Sequence, residues 1–280
     1  MRAFGLFARR YARNRAAVVG LVVLLLILGM AASANVLFPD DPWGMVAQPL
    51  LWPGRDPAFP LGSDLMGRDL LSGLFHGAQV SLMFGVSATL AALAIGVTVG
   101  GVAGYYRGWV DDVLMRLTEL FQTVPPFILT IVLVAVLTPS AVTIVLAIAV
   151  VSWPGVARLV RAEFIALRGR EFVQAGVVLG MGDLRIMLTQ ILPNAMGPII
   201  VSSSLMVATA ILLEASLAFL GLSDPNLMSW GTIIGAGRDA LRTAWYIAAL
   251  PGAAILLTVV SFNLIGEGLN DALNPRLRNR

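Results

Sequence analysis

Five stretches of this chain carry no charged residue, at 16–39, 70–106, 120–157, 186–213 and 243–266. Each exceeds the roughly 20 apolar residues that a helix needs to cross a bilayer, so a soluble globular fold is excluded at the outset. Composition agrees: 58% of the residues are hydrophobic and only 12% charged, about half the charged share of a soluble domain. The 120–157 run would make one helix of about 57 Å, nearly twice the hydrocarbon thickness. Thr138-Pro139-Ser140 divides it into two. The 70–106 run is expected to hold one span preceded by an external interfacial helix, because Ser72, Gly73, His76 and Gly77 interrupt its start. The expectation is an all-α integral membrane protein with six spans near 16–36, 79–104, 113–137, 141–158, 194–216 and 247–267.

Charge placement orients these spans. The chain has no lysine, and all 19 basic residues are arginines. With the N-terminus inside, all but Arg55, Arg68, Arg238 and Arg242 fall on the cytoplasmic side, which favours both termini in the cytoplasm. The net charge of +3 then reflects topology, and nucleic acid is not an expected partner. Ala32-Ser33-Ala34 has the small-x-small form of a signal-peptide cleavage site, but the apolar run before it exceeds the usual 7–15 residues, so a retained span is expected. With zero cysteines, disulfides and thiolate metal sites are unavailable.

The domain reading follows from these landmarks. Residues 1–36 are the cytoplasmic N-terminus and first span. Residues 37–76 form an external proline-rich segment with the interfacial helix. Residues 77–270 form the transmembrane core, including a cytoplasmic loop at 159–193, and 271–280 form a cytoplasmic tail.

The stretch Glu171 to Pro193 reads as helix–glycine–helix between apolar segments. Phe172, Ala175, Gly176 and Leu179 fall on one helical face. Gly180 and Gly182 suit a C-terminal turn, and Asp183 suits the N-cap of a second helix from Leu184. Small residues at Ala175, Gly176 and Gly180 let another surface approach the backbone closely. A membrane-surface hairpin and a docking element both fit this local pattern.

Elsewhere, Gly96, Gly100 and Gly104 form a helix-packing stripe. Pro125-Pro126 interrupts the third span and frees carbonyls, marking either a pathway bend or a packing kink. Glu119 and Glu214 are the acids closest to membrane depth, and Glu214 is retained with Pro125 and Pro126 as a pathway or gate candidate. His76 stands alone, with neither a metal cluster nor a catalytic partner visible. No metal site is expected, and the acidic turn at 60–72 lacks EF-hand spacing. Trp230 and Trp245 suit an interfacial belt. No GxSxG or HExxH is present to support an intramembrane hydrolase; a channel or scaffold remains as a different class.

Six ordered segments resemble one family. They are Phe59–Val86, Gly104–Asp111, Trp153–Arg158, the loop run Gln174-Ala175-Gly176…Gly180…Gln190-Ile191-Leu192-Pro193, Glu214–Leu222 and Asp271–Arg276. Together they resemble the permeases of dipeptide, oligopeptide and nickel ABC importers, in particular the second permease subunit, the DppC or OppC type. Gln174 stands where the family pattern has an acid, and Gln190 where it has isoleucine.

The resemblance implies a type I importer permease in the bacterial plasma membrane, moving di- or oligopeptides, with nickel, glutathione or an opine as alternative cargo. It implies a homologous permease partner, two cytoplasmic ATPase subunits, an external binding protein, and contact with membrane lipid. Gln174, Ala175, Gly176, Leu179, Gly180, Met181, Gly182 and Asp183 would couple to the ATPase, and Leu192 and Pro193 would end the coupling loop. This chain is expected to be no enzyme and to hold no cofactor, with ATP and Mg bound by the partner subunits, because a Walker A loop needs a lysine. Gly180→Trp is expected to block transport while leaving the protein inserted.

Overall fold

The computed structural model describes residues 11–273, and those residues are helical apart from turns, loops and two isolated β-bridges. The elements are α1 (Arg15–Leu37), α2 (Leu70–Tyr106), α3 (Gly108–Thr123), α4 (Pro126–Leu137), α5 (Ala141–Arg168), α6 (Glu171–Val178), α7 (Asp183–Phe219), α8 (Trp230–Gly237) and α9 (Tyr246–Leu273). Five of them (α1, α2, α5, α7 and α9) are long and apolar enough to cross a membrane. The pair α3 and α4, bent by 83° at the proline break, passes the same test together and makes a sixth where it crosses as one broken span. The expected tail lies mostly outside the described residues, as do Arg2, Arg9 and Arg10.

Two expectations about helix breaks are corrected. The third span is not one helix over 113–137. A residue before proline avoids the α region, and Val124 accordingly sits at φ −94°, ψ 132°, with Pro125 at φ −54°, ψ 130°. Pro126 then opens α4, where its missing N–H costs nothing. There is also no separate interfacial helix before the second span. α2 runs unbroken for 37 residues, about 55 Å, capped by Asp69, whose carboxylate accepts from the Leu71 and Ser72 N–H groups.

The small residues that suggested an interruption are packing seats. A Cβ on Gly73 would touch Met228 and Ile233, and one on Gly77 would lie 2.7 Å from the Trp230 ring. Trp230 is therefore fully buried rather than in an interfacial belt. Its indole N–H donates to the Leu74 carbonyl at 2.9 Å, and its backbone N–H donates to the Ser81 hydroxyl at 3.1 Å. Trp245 is 57% exposed, as a belt residue would be.

The glycine stripe lies against α5. Ideal Cβ atoms on Gly96, Gly100 and Gly104 would collide with Val156, the Ala157 carbonyl, and Arg161 with Phe164 respectively. α2 and α5 thus approach to backbone contact, which is how helices associate when lipid offers no hydrophobic drive. α1 closes on α9 in the same way, with Gly20 seated on Ser261 and Leu264. The Asn14 side chain caps α1 and also donates to Asp271 at 3.0 Å, joining the first helix to the last. Outside the bundle, the proline-rich segment is pinned by Tyr246, whose hydroxyl lies within hydrogen-bonding distance of the Leu51 and Ser63 carbonyls. His76 is engaged structurally, with Nε2 at 3.0 Å from the Phe38 carbonyl.

Candidate functional site: the loop between α5 and α7

α5 ends at Arg168, and Gly169-Arg170 turns the chain into α6, whose first-turn Glu171 complements the helix dipole. Val173 and Gly176 face inward. Val173 joins a core of Tyr105, Val160, Phe164, Ile186, Met187 and Ile191. The helix ends in a Schellman turn: the Met181 N–H donates to the Gly176 carbonyl and the Gly180 N–H to that of Val177, each at 3.0 Å. Gly180 sits at φ +73°, where a side chain would strain the backbone. The Met181 sulfur packs over Gly176, the apolar contact that usually accompanies this turn.

Three details differ from the sequence expectation. Gly176 lies on the buried face, opposite Phe172, Ala175 and Leu179, so it seats the loop on itself rather than on a partner. The N-cap of the second arm is Gly182, not Asp183. The Asp183 carboxylate instead accepts from the Tyr105 hydroxyl at 2.8 Å, a bond from the second arm to the inner end of α2. Finally, the Gly180→Trp experiment would mix backbone strain with obstruction.

The loop is strapped down at its base. The Arg168 guanidinium lies over the Tyr105 ring at 5.2 Å, Gln174 donates to the Arg168 carbonyl at 3.0 Å, and Arg107 donates to the Ile165 carbonyl at 3.1 Å. These residues line a cavity of about 330 Å³ under α6. At Leu192-Pro193 a π turn over Met187–Ile191 precedes the proline, with the Leu192 N–H reaching back to Met187. This wider turn accommodates a residue that has no N–H to donate.

The outward face is apolar. Val178 is 87% exposed, Leu179 80% and Leu184 67%, with Phe172 and Val177 beside them. An apolar cap held rigidly beyond the membrane end of a helical bundle marks an interaction surface.

The remaining candidates lie apart from this loop. Glu214 is buried on α7, with its Oε2 unpaired and Ser229 in hydrogen-bonding reach of the carboxyl group. Pro125 and Pro126 are exposed at the α3–α4 break. Glu119 is exposed on α3, in a cleft facing Arg158. Sequence reasoning missed the Tyr105–Asp183 bond and the Asp111–Arg161 ion pair. The visible signals were an acid at the start of each of two helices and an arginine on α5, but pairing partners 78 and 50 residues apart needs the fold.

Comparison with known proteins gives consistent findings. The family model for the binding-protein-dependent transport system inner membrane component matches residues 96–279. The model for the N-terminal TM domain of oligopeptide transport permease C matches residues 3–53. The chain is 40% identical to the di/tripeptide transport system permease protein DppC of Pseudomonas aeruginosa (strain UCBPP-PA14), covering 98% of this chain and 92% of that protein. It is 36% identical to the oligopeptide transport system permease protein OppC of Bacillus subtilis (strain 168), over 96% of this chain and 88% of the relative. It is also 36% identical to the glutathione transport system permease protein GsiD of Pectobacterium atrosepticum, over 97% and 91%. In structure it is similar to the MetNI methionine ABC transporter in an inward-facing conformation, with a TM-score of 0.54 and 17% identity, covering 70% of this chain and 96% of that one. That likeness concerns the fold alone.

Proposed function

Because this chain belongs to the family of binding-protein-dependent transport system inner membrane components, we propose that it is the second permease subunit of an ATP-driven importer of di- or oligopeptides. A homologous permease of the DppB or OppB type completes the pathway. Two cytoplasmic ATPase subunits bind ATP and Mg, and an external binding protein delivers the peptide. This chain itself hydrolyses nothing.

The observation that carries the coupling role is the apolar cap of Val178, Leu179 and Leu184 on a loop strapped to α2 and α5. α6 docks by this cap into a cleft of one ATPase subunit. When the ATPase dimer closes, a rigid α6 moves as one body with the inner ends of α2, α5 and α7. Access then switches between the two sides by a small tilt of packed helices.

The test is ATP hydrolysis by the complete complex in lipid, with the binding protein present, comparing dipeptides, longer peptides, glutathione and nickel chelates. Stimulation by di- or oligopeptides supports the assignment. Stimulation confined to glutathione or a nickel chelate overturns the cargo while leaving the architecture standing.

A further inference from the structure

The bent pair α3 and α4 is shared between two parts of the bundle. α4 packs on the outer half, where Val134, Ile131 and Leu133 join Ile144, Ala147 and Ile148 of α5 and Phe84 and Ala88 of α2. α3 follows the inner half of α5. Arg161 grips Asp111 with both arms of its guanidinium fork, Nε to Oδ1 at 2.5 Å and Nη2 to Oδ2 at 2.6 Å. Phe121 meets Trp153 edge to face at 5.4 Å. Between the two helices, residues 122–128 are all exposed and join no core cluster. Neither Pro125 nor Pro126 has an N–H to bond back to α3, so neither packing nor the proline backbone locks the angle at the break.

Asp111 and Thr118 are the two buried residues of α3. The Thr118 hydroxyl donates within its own helix, to the Leu114 carbonyl. Among the described residues, Asp111–Arg161 is therefore the one side-chain hydrogen bond or ion pair that ties α3 to another helix. A planar two-point grip fixes how α3 is rolled about its axis as well as where it lies, which a point charge or an apolar contact does not. Arg161 also stands on the part of α5 that meets the loop. Its neighbours Val160 and Phe164 share a core with Val173 of α6 and with Ile186, Met187 and Ile191 of α7. A Cβ on Gly104 of α2 would lie 2.7 Å from the Arg161 carbonyl oxygen, so the inner end of α2 is seated on the same stretch.

We propose that Asp111 and Arg161 are positioning residues for transport: their pair makes α3 move with the loop between α5 and α7, while α4 stays with the outer bundle and the break at Val124-Pro125 takes up the difference. The proposal rests on the coupling role given to that loop above. A rotation of about 10° at the break, ordinary for rigid-body changes, would swing Val113, eleven residues away, by about 3 Å.

The chain contains no cysteine, so spin labels can be placed on introduced pairs in the complete complex, its other subunits also freed of cysteine. Val113→Cys with Val136→Cys spans the break, and Val113→Cys with Thr189→Cys joins α3 to the loop side; all three positions are exposed. Pulsed EPR distances are compared before and after the ATPase dimer is trapped closed with ATP and vanadate. In the parent, the Val113–Val136 distance should shift by about 3 Å, and the Val113–Thr189 distance should hold. In Arg161→Gln, the Val113–Thr189 distance should broaden and change between states, and trialanine taken up per ATP hydrolysed should fall about fivefold, the low end of couplings between sites. Arg161→Gln leaves Asp111 without its partner, so Asp111→Asn/Arg161→Met, which leaves no orphan charge, is the second variant and should show the same two changes.

A fixed Val113–Val136 distance in the parent overturns the proposal, because the break is then no hinge. So does a Val113–Thr189 distance that changes as much as the one across the break, or a parental ratio of uptake to hydrolysis in whichever variant assembles. Uptake by a complex carrying Val178→Asp/Leu179→Asp separates the two readings. If it matches the parent, the coupling role of the loop fails and this proposal with it; if it is lost while the Arg161 variants keep the parental ratio, only the link between α3 and the loop fails.

Discussion

Gly100→Ala is the most direct probe of how this bundle is held together. A Cβ on Gly100 would sit 3.0 Å from both the Cα and the carbonyl carbon of Ala157, and closer still to that carbonyl oxygen. The obstacle is backbone, so no rotamer change relieves it, and α2 and α5 must part by roughly 1 Å to restore ordinary contact. A gap of that size forfeits about a quarter to a half of each dispersion contact along the seam, and Gly96 and Gly104 share the same seam. Overpacking of this kind costs about 2–3 kcal/mol.

Gly29→Ala on α1 is the matched control, because nothing lies within 4 Å of its Cβ position. There the loss of unfolded-state freedom stabilises by about 0.5–1 kcal/mol. The two variants should therefore differ by about 3 kcal/mol, or about 6–12 °C in melting temperature for a chain of this size. The assay is thermal unfolding of the solubilised complex, followed by size-exclusion chromatography of the heated sample. Equal melting temperatures for the two variants would refute the close-packing argument.

Two further predictions concern named hydrogen bonds. Trp230→Phe removes the indole donor to the Leu74 carbonyl and leaves part of the buried site empty; the expected cost is about 2 kcal/mol, or about 4–8 °C in melting temperature, and an unchanged melting temperature would contradict the seat assigned to this ring. Tyr105→Phe removes the bond to Asp183, worth about 1–2 kcal/mol at a partly buried site; peptide transported per ATP hydrolysed should fall while hydrolysis persists, and an unchanged ratio would mean that this strap does not carry the coupling.

Much of the fold was legible because a bilayer leaves few options. Charge-free runs located the spans, the arginine distribution supplied an expected orientation, and a glycine every fourth residue announced the α2–α5 contact. Helix breaks were harder to read. Ser72, Gly73 and Gly77 look like interruptions until Met228, Ile233 and Trp230 are known to fill the space above them. Pro125-Pro126 signalled a disturbance, but an 83° turn rather than a kink depends on what α3 and α4 each pack against.

In the loop between α5 and α7, the glycine turn was visible and the facing of Gly176 was not. Helical periodicity places residues on one face without saying which face meets the core. The decision fell to Val173, which enters the cluster around Phe164 and Ile186 and turns Gly176 inward with it. The straps from Arg107, Arg168 and Asp183 escaped notice because each joins residues from different helices.

In the proposed mechanism, α6 transmits ATPase closure through its apolar cap. Val178 and Leu179 are almost fully exposed and belong to no core cluster, so replacing both with Asp removes the cap without opening a cavity. The decisive measurement is ATP-dependent peptide uptake by proteoliposomes carrying Val178→Asp/Leu179→Asp, beside the melting temperature of the same complex. The expected outcome is an inserted permease with a melting temperature within a few degrees of the parent and uptake lost. Uptake at the parent level would contradict it.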